Sequence, residues 1–62
     1  MNKPKCKLIG QNGNIFNLVA IASRCLKKNG MEGRAAEMAH KVFNSKSYEE
    51  ALAIINDYVE IC

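Results

Sequence analysis

The feature that most constrains this chain is an apolar stripe within residues 14–29. Ile15, Leu18, Val19, Ala22, Cys25 and Leu26 recur at steps of three and four residues, which lines them along one side of a helix. Asn14 stands where an N-cap belongs, with its side-chain oxygen free to accept an orphan backbone N–H. Arg24, Lys27 and Lys28 fall in or beside the last turns, where cations suit the negative end of the helix dipole. Asn29-Gly30 stops the helix, Gly30 being suited to the left-handed position beyond the C-cap. In a chain of 62 residues, everything else must cover that stripe. A domain this short buries only about 60% of its unfolded surface, which allows one small core and little room for a catalytic cleft.

Two further helices are expected to supply the cover. Residues 32–43 place Ala35, Met38, Ala39, Val42 and Phe43 on one face, with Arg34, Glu37 and Lys41 outward. Asn44-Ser45-Lys46 breaks that helix, and Ser47 with Glu50 forms the S-x-x-E capping box that starts the next. Residues 48–58 then carry Tyr48, Ala51, Leu52, Ile55 and Tyr58, continued by Val59, on one face, against Glu49, Glu50, Asn56 and Asp57 on the other.

The ends follow a different period. Pro4 stops any regular element from starting earlier, and residues 5–9 alternate as a short strand with Cys6 and Leu8 on one face. Residues 10–13, Gly-Gln-Asn-Gly, are turn chemistry. Residues 59–62 drop out of helical phase and alternate. A lone strand is unstable, so the tail, or the same strand of a second copy, is its expected partner. The expected fold is therefore a single mainly α (α+β) domain over residues 1–62, a short N-terminal strand followed by three helices, with a short C-terminal strand, pairing with it or with a second copy, as the open option. So small a fold is often completed by a second copy, so a homodimer is expected.

The net charge of +3 hides an asymmetry. Residues 1–46 hold all nine Lys and Arg with Glu32 and Glu37; residues 47–62 hold only Glu49, Glu50, Asp57 and Glu60. Such polarity can attract anionic partners on one side, or serve solubility alone. Cys6, Cys25 and Cys62 are odd in number, widely spaced and without a CxxC pair, so free thiols in a reducing cytoplasm are expected. The start lacks a signal-peptide apolar run, and the longest such run, residues 18–22, is too short to span a bilayer.

No constellation for catalysis emerges. His40 is the single histidine, off the apolar face near Glu37 and Asn44, with no nucleophile fixed beside it. Metal binding needs three or four ligands at workable spacing, which Cys6, Cys25, His40 and Cys62 do not offer. The chain is read as no enzyme, with no metal and no cofactor. The turn from Gly10 to Gly13 could cradle a phosphate, yet it lacks the P-loop ending, and a tight turn with an N-cap explains it better. Lys5, Lys7, Gly10, Gly13 and Arg24 form the alternative, anion-binding site, for a nucleotide or nucleic acid. A helix-turn-helix across residues 29–33 has the right turn, but exposed faces too poor in base-reading groups. Phe16 and Ile21 point away from the stripe and, with Arg24 and Lys28, make the favoured partner-binding surface.

Residues 8–18, LIGQNGNIFNL, with Ala22-Ser23-Arg24, Leu26-Lys27-Lys28-Asn29-Gly30, Ser47-Tyr48-Glu49-Glu50-Ala51-Leu52 and Tyr58-Val59-Glu60, carry a resemblance over nearly the whole chain. Together they resemble very short proteins of bacteriophages and mobile elements of Gram-positive bacteria. The resemblance transfers no site. It implies a context in which short proteins without catalytic motifs often block host defence by binding. The expected function is a phage-type inhibitor that binds a host defence protein in the host cytoplasm. The alternative is a sponge for a nucleotide signal, or a nucleic-acid binder.

Overall fold

The structure, a computed structural model, describes residues 3–62. Met1 and Asn2, part of the expected irregular start, lie outside the described residues. The order is β1 (Lys5–Cys6), α1 (Ile15–Lys28), α2 (Glu32–Phe43), α3 (Tyr48–Tyr58) and β2 (Glu60–Ile61).

Local chemistry sets each boundary. The Phe16 N–H donates to Asn14 Oδ1 at 2.9 Å, which opens α1. At its end Gly30 takes φ +72°, a conformation that costs a Cβ-bearing residue about 1 kcal/mol or more. Gly30 N–H donates to the Lys27 carbonyl at 3.1 Å and Met31 N–H to that of Leu26 at 2.9 Å. This pair of bonds satisfies carbonyls the helix would otherwise leave open. The Met31 carbonyl in turn accepts from Ala35 N–H at 2.9 Å, so α2 begins immediately. It ends at Asn44, whose side-chain amide donates to the His40 carbonyl at 2.8 Å. Ser47 Oγ accepts from Glu50 N–H at 3.0 Å, the serine arm of the expected capping box.

The helices bury the expected stripes. Leu18, Val19, Ala22 and Leu26 of α1, Ala35, Met38 and Val42 of α2, and Ala51, Ile55 and Tyr58 of α3 belong to one core. Cys6, Leu8 and Val59 join it from the ends. Two aromatic residues expected on buried faces are corrected: Phe43 is 60% exposed and Tyr48 46%. They are the last residue of α2 and the first of α3, where a turn replaces a facing helix.

β1 and β2 pair in parallel, Lys5 beside Glu60 and Cys6 beside Ile61. Parallel neighbours need a long crossover, and here all three helices supply it. Glu60 N–H donates to the Pro4 carbonyl at 2.8 Å and Cys62 N–H to that of Cys6 at 3.0 Å. The Cys62 carbonyl accepts from Leu8 and Ile9 N–H groups at 2.8 and 2.9 Å. The first strand thus finds its partner within its own chain. It is shorter than the expected residues 5–9, because Gly10 turns the chain at φ +91° and Gln11 N–H bonds back to the Leu8 carbonyl.

The free-thiol expectation is overturned for two of the three cysteines. Cys6 and Cys25 form a disulfide that joins β1 to α1, and Cys62 alone is free and exposed. Spacing could not announce it, because 19 residues separate the pair and the approach is made by folding. The bond removes the premise on which a reducing compartment rested. In the oxidised protein, thiol titration in denaturant is expected to find one reactive cysteine, and three after reduction; three at the outset would refute the bond. Cys25→Ser is expected to cost about 3 kcal/mol through the loop it reopens. Gly30→Ala should cost about 1 kcal/mol, read as a lower urea midpoint at unchanged slope.

Candidate functional site

Two grooves flank α1. The first lies between β1 and α1. Alternation along β1 turns Cys6 and Leu8 inward, which leaves Lys5 and Lys7 exposed. Helical spacing brings Ile21, Arg24, Cys25 and Lys28 to the same side of α1. Between them is an open groove of about 420 Å³, lined by Lys5, Lys7, Ile21, Arg24 and Lys28 with the disulfide beside them. Four cations and no carboxylate line it.

Gly10 and Gly13 of the expected anion site are not part of this lining. Amides in and just after their loop are engaged within the chain: Gln11 N–H donates to the Leu8 carbonyl, Asn14 N–H to Asn12 Oδ1 and Phe16 N–H to Asn14 Oδ1. Asn17 Nδ2 also donates to the Asn12 carbonyl, closing the turn on itself. Folding tempers the charge asymmetry as well. Lys3 Nζ donates to the Asn56 carbonyl at 2.7 Å, and Lys5 stands beside Glu60, so the basic start returns to the acidic tail.

The second groove opens where the start of α1, the end of α2 and the start of α3 converge. It has a volume of about 520 Å³, and Ile15, Phe16, Val42, Phe43, Tyr48 and Ala51 form its apolar part. The Phe16 and Phe43 rings are tilted against each other with centroids 5.8 Å apart, yet Phe16 is 66% exposed. Tyr48 donates its hydroxyl to the Gly13 carbonyl, tying the turn before α1 to α3. Phe43 and Tyr48 are the residues missed by helical phase alone. Their position at helix ends was the available signal.

The favoured surface of Phe16, Ile21, Arg24 and Lys28 is therefore divided. Phe16 belongs to the apolar groove and the other three to the basic one. Five residues separate Phe16 from Ile21, a turn of about 140° around the helix, which sends the two side chains to different neighbours.

A third cluster sits on the outer face of α2. Tyr58 donates its hydroxyl to Glu37 Oε2, and Lys41 Nζ lies 3.8 Å from the same oxygen and 5.5 Å from the Tyr58 ring centroid. The Tyr58 hydrogen bond holds the Glu37 carboxyl below its ordinary 4.5, against desolvation and with help from Lys41 and Arg34. Lys41 is raised, first by its closeness to Tyr58 and then, against desolvation, by the carboxylates of Glu37 and Asp57. His40 is exposed and adds only its backbone carbonyl, to Asn44. Among the described residues, no three His, Cys, Asp or Glu side chains converge as a metal site would need. Among the described residues, no helix is long and apolar enough to cross a membrane.

No protein-family model, curated protein or solved structure matches this chain.

Because the folded carboxyl of Glu37 is depressed, its contribution is present above the unfolded carboxylate range and is lost as pH falls through the folded value. Tyr58→Phe should therefore flatten the acid limb of stability between pH 7 and about pH 3. An acid limb identical to that of the parent in urea titrations would remove the assignment.

Proposed function

We propose that this protein acts by binding, as a small non-enzymatic inhibitor of phage type that occupies a surface of a host defence protein. The observation that carries the reading is the exposed pair of Phe16 and Phe43 above an apolar groove. Fully burying a phenylalanine side chain is worth roughly 1.5–3 kcal/mol, and this fold leaves both rings largely in water. Aromatic anchors beside a pocket are where binding energy tends to concentrate at protein interfaces. The phage-type resemblance supplies the class of partner.

The groove involves neither β1 nor the disulfide. A binder that works through it keeps its surface in the host cytoplasm, where the Cys6–Cys25 bond would be open to reduction. A second copy is the other candidate occupant, and the homodimer remains part of the proposal as the form that a defence protein would displace or engage.

The test is expression in a bacterial host that carries a defence system active against a challenge phage. The parent protein is expected to restore phage titre, and Phe16→Asp with Phe43→Asp to abolish the effect while Arg24→Ala retains it. Restoration that survives the double substitution would sink the role given to the groove. Native mass spectrometry of the same variants reads self-association, which the double substitution is expected to reduce.

A further inference from the structure

We infer that the groove between β1 and α1 is a binding site for a compact phosphorylated ligand with the charge and size of a nucleotide. This inference stands apart from the apolar groove, and either can fail alone. Four cations converge from two elements, Lys5 and Lys7 from the β1 segment and Arg24 and Lys28 from α1. Among the described residues none of the four has a carboxylate within ion-pairing distance, the one such pair being Lys41 with Glu37. Such a set repels itself, and a bound polyanionic group relieves that repulsion.

The shape of the site specifies the ligand further. Its volume of about 420 Å³ falls in the range of small-molecule pockets, about 300–1,000 Å³. Ile21, half-buried between the cations, offers an apolar wall for a base or sugar. Arg24 can grip a phosphate through two parallel N–H bonds, while the lysines act as point charges. The disulfide fixes one wall against the other, which lowers the ordering cost of closing both on a ligand.

A long polyanion fits less well. Glu60 stands beside Lys5 in the strand pair and interrupts the positive surface on that side. Of the other five cations, Lys3 donates to the Asn56 carbonyl, Lys41 is held by Glu37, Arg34 belongs to α2, Lys46 lines the other groove, and Lys27 is outside the lining. Four of the nine cations are gathered in the groove.

Isothermal titration of the oxidised protein with adenosine triphosphate, adenosine, and a single-stranded oligonucleotide tests the site. The triphosphate is expected to bind saturably and adenosine to give no binding. Arg24→Ala and Lys7→Ala should each weaken the triphosphate about tenfold, equivalent to about 1.4 kcal/mol. Lys46→Ala, beside the other groove, should leave it unchanged. Arg24 and Lys7 are exposed, so urea midpoints close to the parent's are expected and would separate lost binding from lost folding. No saturable binding of the triphosphate, or affinity indifferent to Arg24→Ala in a folded variant, overturns the site. An oligonucleotide that binds more tightly than the triphosphate overturns the compact ligand.

Discussion

Four large side chains without solvent exposure hold this fold: Leu26 from α1, Met38 from α2, Ile55 from α3 and Val59 where α3 gives way to β2. Each belongs to a different stretch of chain, and all sit in one core. At this size there is no second core to take up slack, so loss of any one loosens several elements together. The buried members of the core are packed at a density where even a missing methylene is felt. Function is consequently displaced to the rim, where helix ends and strand edges stand clear of it.

The rim is organised by closure of the chain on itself. β1 is held from two directions, by a parallel ladder to β2 and by the covalent bond from Cys6 to Cys25. In a two-residue strand the ladder supplies few bonds against the entropy of ordering the segment, and the disulfide adds to them. The same closure brings the basic start against the acidic tail and sets Lys5 and Lys7 across from Arg24 and Lys28 of α1. A charge asymmetry that is large along the chain is therefore smaller in space.

Much of the fold was legible in advance because its information is local. The residues of α1, α2 and α3 follow from period and from caps at Asn14, Gly30 and Ser47, whose chemistry acts within a few positions. The exposure of Phe16 follows from phase as well. Phe43 and Tyr48 escaped that reasoning because phase assumes a neighbour along the entire helix, and at a helix end the neighbour stops. The candidate site was legible as residue types, not as groupings. Phe16 and Ile21 shared a reason for attention, yet they serve different grooves.

The sequence by itself determined three helices, their limits and the faces they bury, because hydrogen bonding and side-chain period link residues only three or four apart. It also determined that the two ends would be extended. Only the tertiary structure decided which strand pairs with which, that Cys6 meets Cys25, and that Lys5 and Lys7 oppose Arg24 and Lys28. Those contacts join positions far apart in the chain, and they depend on how three helices turn the path of the backbone before its ends can meet.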